Sequence, residues 1–284
     1  MGEQPDFSLS RGRSGTIPPV LAAQWELPVT SLKRSFKPLR TLLLAGVALV
    51  SISACASNRG SMPSPDYSGM AAGQSQQSLG ELAARYKSNP KDKGAIIHYA
   101  AALRAVGQSQ QAVSVLEVGI DHHPNDVDIS VAYAKALTAD GRFDQSLAVL
   151  DNVIRPDVPD WNALLVKGAT LDQLGRNGEA RQLYTQALTI APGEASIEAN
   201  MGLSYAMTNE LGPAEQHLRR AVQMRGATSQ IRQNLALIVG LQGRFDECRA
   251  IYAAELPPEQ VESNMAYVRA LLTQQNRWDA IEQG

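Results

Sequence analysis

The chain is poor in the residues that build stapled folds and metal centres. It has 2 cysteines, Cys55 and Cys248, and 4 histidines. Two cysteines allow one disulfide at most, which excludes a disulfide-dense scaffold. There is no CxxC, no HExxH and no Cys/His cluster, so no metal site is recognisable. Aromatics are scarce at 5%. A β-sandwich would want more of them, with more Val, Ile and Thr, whereas the prominence of Ala, Leu and Gln favours helix. An excess of charge of one sign is lacking too: 26 Lys and Arg face 28 Asp and Glu, for a net charge of −2. A nucleic-acid binder would show a basic face, but here the basic residues are scattered and outnumbered. GxSxG, a phosphate-cradling glycine loop and a paired-acid motif are all missing. The expectation is a protein that is not an enzyme, with no catalytic residues, no cofactor, no metal, no nucleic acid and no small-molecule substrate.

Long apolar runs are also scarce, and the one that stands out is short. Leu42–Cys55 is about 14 residues long, against about 20 needed to span a bilayer. Gly46, Ser51 and Ser53 interrupt it. Lys33, Arg34, Lys37 and Arg40 precede it with no acid between them. A basic stretch, a short apolar stretch and then small residues describe an export signal. Its last four residues, "ISAC" from Ile52 to Cys55, resemble a bacterial lipobox. That resemblance implies acylation of the Cys55 thiol, cleavage just before it and acylation of the new amino terminus, with the lipid as palmitate-type anchor. Ala56, directly after the cysteine, is not Asp, which resembles an outer-membrane address with the domain on the periplasmic face. A membrane-spanning anchor and a soluble exported protein are the alternatives. Some 30 residues precede the basic stretch and fit neither signal nor domain. Either the signal is long or translation starts downstream. The stretch 55–77, rich in Ser, Gly, Pro and Gln, reads as a flexible tether. The expected organisation is therefore 1–54 extension and signal, 55–77 lipidated cysteine and tether, and 78–284 folded domain.

That domain repeats itself every 34 residues. "YAAALRAVGQSQQAVSVL" from Tyr99, "YAKALTADGRFDQSLAVL" from Tyr133 and "KGATLDQLGRNGEARQLY" from Lys167 are three copies. Two more begin at Met201 and Leu235. One column holds Ala100, Ala134, Gly168, Gly202 and Ala236; another holds Ala112, Ser146, Ala180, Ala214 and Cys248. Both are small throughout. A third, Gly107, Gly141, Gly175, Asn209 and Gly243, holds the residues most willing to take φ > 0. A fourth, Leu116, Leu150, Tyr184, Leu218 and Tyr252, is large and apolar. The physics is a pair of amphipathic helices per unit. Gly closes the first helix, the small columns let the pair approach, and the large column fills the space between. Pro124 and Pro192 punctuate the junctions. The pattern resembles the tetratricopeptide repeat, over residues 93 to about 256. What the resemblance implies is an all-α, right-handed superhelical solenoid of about five to six helix pairs. The units fall near 93–126, 127–160, 161–194, 195–228 and 229–258. An irregular terminal unit, 259–284, is expected as two helices, and Leu79–Pro90 as a single capping helix. Cys248, in a small packed column, is expected to be a buried and inert thiol. His122 and His123 are expected exposed in a loop.

By the same resemblance the functional surface is a groove lined by the first helix of each unit. Its positions here include Val131, Lys135, Leu165, Ala169, Leu203, Gln233 and Leu237. "NMG", "NLA" and "NMA" begin at Asn200, Asn234 and Asn264. The first two are one period apart and the third is four residues short. In some superhelical members of the family such asparagines form a ladder along an extended peptide, and an amide can donate and accept at once. The other reading is that they tie adjacent helices together. Lipobox, tether and repeats together resemble the tetratricopeptide-repeat lipoproteins of the tight-adherence (Flp) pilus assembly system. "ELPPEQVESNMAYVRALL", Glu255–Leu272, is similar to their tail. The implied role is assembly of the pilus secretion apparatus, with the outer-membrane secretin as protein partner. A type IV pilus pilotin and an envelope scaffold recruiting hydrolases or proteases are the rival readings.

Overall fold

The computed structural model describes residues 72–282, with side chains over 77–273. Cys55, the export signal and tether residues 55–71 lie outside the described residues. Among those described there are twelve helices: α1 Ala72–Ser88, α2 Lys93–Ala105, α3 Ser109–His122, α4 Val127–Ala139, α5 Phe143–Val153, α6 Trp161–Gln173, α7 Asn177–Ile190, α8 Ala195–Met207, α9 Leu211–Gln223, α10 Ser229–Leu241, α11 Phe245–Glu255 and α12 Pro258–Glu282. One isolated bridge, Arg155–Val158, is the β-pairing seen among them. This is an all-α repeat solenoid. α2–α3, α4–α5, α6–α7, α8–α9 and α10–α11 are the five pairs. The first helices also pack on one another in turn, α2 on α4, α4 on α6, α6 on α8, α8 on α10 and α10 on α12. They form one continuous wall.

The repeat columns take the roles the sequence gives them. Gly107, Gly141, Gly175, Asn209 and Gly243 all have positive φ, from 59° at Asn209 to 81° at Gly243. Each lets the next residue's N–H reach back to a carbonyl five residues earlier, as Gln108 N does to Leu103 O at 2.8 Å and Arg142 N to Leu137 O at 2.8 Å. That closes the first helix by the Schellman arrangement. Ala112, Ser146, Ala180, Ala214 and Cys248 are fully buried, as are Leu116, Leu150, Tyr184 and Leu218. The core forms four successive clusters along the solenoid instead of one centre.

A fifth column appears only in the structure. Asp92, Asp126, Asp160 and Thr228 cap the first helices of four units. Their side chains accept from Ala95 N at 2.6 Å, Ile129 N at 3.1 Å, Ala163 N at 2.8 Å and Ile231 N at 3.3 Å. Such a cap contributes about 0.5–2 kcal/mol. Glu194 holds the same place before α8 and makes no side-chain cap bond.

The ends depart from the expected outline. α1 begins at Ala72, so the last residues assigned to the tether are helical; the helix contains no proline to stop it. Its Leu79 and Tyr86 pack on the first core cluster, Tyr86 stacking on Tyr99 with ring centroids 5.3 Å apart. The tail expected as two helices is a single helix, α12. No Gly or Pro follows Pro258 inside it, so nothing in the chain breaks it near Asn276. Pro258 itself stands in the first turn, where a missing N–H costs nothing. Val261, Met265 and Val268, spaced i, i+4, i+7, cover the last cluster beside Cys248 and Tyr252. They come close because residue 240 is Gly: a Cβ there would fall 2.8 Å from Val268 Cγ1 and 2.8 Å from Cys248 Sγ.

Candidate functional site: the face of the first helices

The first helices offer a repeated row of side chains on one face. On α8 the row is Asn200, Leu203 and Met207. On α10 it is Asn234, Leu237 and Leu241. On α12 it is Asn264, Tyr267 and Leu271. The spacing is i, i+3, i+7 each time, which keeps all three on one face of a helix. All nine residues are half-buried. The four-residue slip before α12 thus restores the pattern in the last helix. Met207, Leu241, Tyr267 and Leu271 escaped the sequence reading, although each continues the helical spacing from its asparagine.

Two of the asparagines, Asn200 and Asn234, are held by their own helices. Asn200 Nδ2 donates to Ser196 O at 2.8 Å, and Asn234 Oδ1 accepts from Gln230 Nε2 at 3.0 Å. These bonds run one turn back along the same helix and not across to a neighbour. Each leaves part of the amide uncommitted by that bond: the oxygen of Asn200 and the nitrogen of Asn234.

Other expected groove positions need correction. Val131 is 0% exposed and packs with Ala134, Leu150, Ala163 and Val166. It is a core residue and offers a partner no surface. Leu165 and Gln233 are also buried, Leu165 against Leu171 and Tyr184, and Gln233 with its Nε2 donating to Ser229 Oγ at 3.1 Å. The adjacent first helix encloses this position. Lys135 and Ala169 are half-buried, and Lys135 Nζ donates to Asn162 Oδ1 at 3.4 Å.

Behind the face lie polar groups the sequence did not single out. Asp172 on α6 is 5% exposed. It accepts from Tyr184 Oη and Asn177 Nδ2 of α7 and from Ser204 Oγ of α8, each at 2.7 Å. Burial pushes its carboxyl above the ordinary range, with those three bonds pulling the other way. Burial, then the neighbouring Asp172, pushes the Tyr184 phenol well up. Thr138 Oγ1 meets Ser146 Oγ at 2.9 Å and Thr170 Oγ1 at 2.8 Å, joining units two and three in the same way. His122 is exposed as expected but is the last residue of α3 and not in a loop, and His123 is half-buried, its Nε2 2.8 Å from Lys91 O. Cys248 is fully buried, and burial pushes its thiol up to about 11. A shallow cleft of about 200 Å³ opens between α5, α6 and α7 over Leu147, Leu171 and Leu183. Its charged rim is paired within itself, Lys167 with Asp151 and Arg176 with Glu179. Among the described residues, no three His, Cys, Asp or Glu side chains gather to hold a metal, and no helix is long and apolar enough to cross a membrane.

Residues 103–167 and 162–194 match the tetratricopeptide repeat family. The matched residues run from the first helix pair to the third. No curated protein sequence matches the chain. Solved structures of tetratricopeptide-repeat proteins share the fold. One is a thermophilic protein of Thermus thermophilus, 21% identical with a TM-score of 0.56, the match covering 63% of this chain and 100% of that one. Another, from Parabacteroides merdae, is 10% identical with a TM-score of 0.59, over 69% of this chain and 78% of that one. A third is PilW, described as a widely conserved type IV pilus biogenesis factor. It is 18% identical with a TM-score of 0.53, over 69% of this chain and 91% of that one. These likenesses establish the tetratricopeptide-repeat solenoid as the fold. Stacked repeats of this kind present extended surfaces on which other proteins bind.

Proposed function

We propose that the protein is an outer-membrane lipoprotein that binds partners of a tight-adherence pilus secretion apparatus and supports assembly of its secretin. The observation that carries the binding role is the triple row on α8, α10 and α12. Three parallel lines of one amide and two apolar side chains suit an extended or helical segment of another protein. The lines bring no group to cut it. The lipobox-like stretch Ile52–Cys55 and the stretch Glu255–Leu272, similar to the tail of the tight-adherence lipoprotein TadD, support that placement. PilW shares this fold, so a role in pilus assembly needs no other architecture; the same likeness favours a type IV pilus pilotin as second reading. Such a groove contact is modest in affinity, and anchoring both partners to one membrane raises their effective concentration.

The test is the level of secretin multimers and of surface pili in cells carrying wild type, Asn200→Ala with Asn234→Ala, or no protein. The double variant should keep its urea midpoint and lose multimers and pili. Normal multimers and pili in the complete deletion overturn the assembly role. Normal levels in the double variant alone overturn the asparagine rows.

A further inference from the structure

His217, on α9, stands between an acid and a base that it cannot serve together. Its Nδ1 lies 2.6 Å from Glu198 Oε2 and 2.7 Å from Arg220 Nη2. A ring nitrogen either carries a proton and donates, or keeps its lone pair and accepts. With a proton on Nδ1 the ring satisfies Glu198 and points a donor at the donor of Arg220. Without it the ring accepts from Arg220 and points a lone pair at the carboxylate. Arg220 Nε also donates to Glu198 Oε1 at 3.1 Å. The ring is fixed in plane by Tyr205, with centroids 5.2 Å apart and planes inclined by 17°. The guanidinium of Arg181, from α7, sits 3.9 Å over the Tyr205 ring. The charged and titratable groups facing His217 are thus Glu198 and Tyr205 of α8, Arg220 of its own helix and, across Tyr205, Arg181.

We propose that His217 is a proton-operated selector that exchanges Arg220 for Glu198. In the neutral state the proton sits on Nε2, Nδ1 accepts from Arg220 Nη2, and Arg220 Nε alone serves Glu198. When the ring takes a proton from solvent, Nδ1–H donates to Glu198 Oε2 and Arg220 Nη2 turns outward. Exposure decides which partner leaves: the Arg220 side chain is 49% exposed and the Glu198 side chain 9%. Acid therefore tightens α8 against α9 by a charge-assisted bond and frees one arm of a guanidinium at the surface. Since α8 carries Asn200, Leu203 and Met207, the selector acts on the seat of one of the three rows. It stands whether or not that face binds a secretin.

The experiment is a titration of the imidazole nitrogens by NMR in the full chain, labelled with ¹⁵N at histidine, with His217→Gln identifying the resonances. The alkaline limit should show the Nε2–H tautomer with an accepting Nδ1. Glu198→Gln should lower the midpoint of His217 relative to wild type, because it removes the anion beside the ring, and Arg220→Gln should raise it, because it removes the cation. An Nδ1–H tautomer at the alkaline limit overturns the proposal, as do unchanged midpoints in the variants. If Glu198→Gln does not fold, the wild-type tautomer and the Arg220→Gln midpoint still decide.

Discussion

Gly168 and Tyr184 fit each other and leave no room for a methyl group: a Cβ on Gly168 would lie 2.5 Å from Tyr184 Cε1. The same two places in the preceding unit hold Ala134 and Leu150, both fully buried. Between these two units the smaller residue in one column accompanies the larger in the other, whereas Gly202 stands with Leu218 and Ala236 with Tyr252 in the later units. Gly168→Ala should lower stability by about 1–3 kcal/mol through overpacking. Adding Tyr184→Leu recreates the pair of the second unit, so the double variant should be less destabilised than the sum of the singles. A double-mutant cycle from urea unfolding measures this coupling, expected at about 1 kcal/mol or more. Additive effects would show that the two sites relax independently.

Asp172 makes part of the stability depend on pH with a sign opposite to that of most carboxylates. Its folded carboxyl titrates above the ordinary value of 3.8 because it is buried, despite bonds from Ser204, Tyr184 and Asn177. The folded chain therefore keeps this proton to higher pH than the unfolded chain does. The contribution of this group to stability falls as pH rises from the ordinary value through the raised one, and stays low above it. Asp172→Asn removes the titration. The unfolding free energy of the variant minus that of wild type should climb across that window and level off above it. A difference that does not vary with pH would mean that Asp172 titrates alike in both states.

Glu194 is the exception in the column of helix caps, which makes it a site for gain. Its backbone has the extended conformation of a cap, with φ −86° and ψ 106°. Shortening the side chain by Glu194→Asp brings a carboxylate within reach of the first free N–H groups of α8. The urea midpoint should rise, by the equivalent of about 0.5–1 kcal/mol. Asp160→Ala, which removes the bond to Ala163 N, should lower stability by about 0.5–2 kcal/mol. No gain at Glu194 together with a loss at Asp160 would mean that the entry to α8 is held by its neighbours.

The two cysteines should behave differently towards reagents. Cys248 is fully buried and its thiol titrates at about 11, so at neutral pH it should react with a thiol reagent only on unfolding. Cys55 should carry lipid in cells. Cys55→Ser is expected to abolish palmitate labelling and release the protein from the membrane fraction. Labelling that persists in Cys55→Ser counts against the lipobox; rapid reaction of Cys248 in the folded chain counts against the packed column.

Much of the fold was legible because a tandem repeat states its constraints five times. The glycine column announced its left-handed turns, and the two small columns announced the close helix pair, since sterics alone decide both. The capping column was equally periodic, but it lies at the joint between units, where Asp160 reads as one more loop residue. The tail was less legible. A four-residue slip at Pro257 and Pro258 removes the frame, and only the absence of a breaker after Pro258 points to one helix. Within the candidate site, periodicity gave the face but not the depth. Val131 and Leu203 occupy first helices alike, yet the neighbouring helix encloses Val131 and leaves Leu203 half open. Asp172 and Glu198 went unnoticed because a lone acid in a helix usually marks a solvated face, and here the fold turns both inward.

The strung-out core has a mechanical meaning. Among the described residues, substantial packing joins only elements one or two places apart, so no single contact there braces the whole solenoid. Pulled from its two ends, the solenoid is a set of latches in series, each carrying the full load. It should lengthen by whole helix pairs in a saw-tooth of force, the weakest seam first, and rewind when released. A domain built this way can stay attached while what it holds moves away.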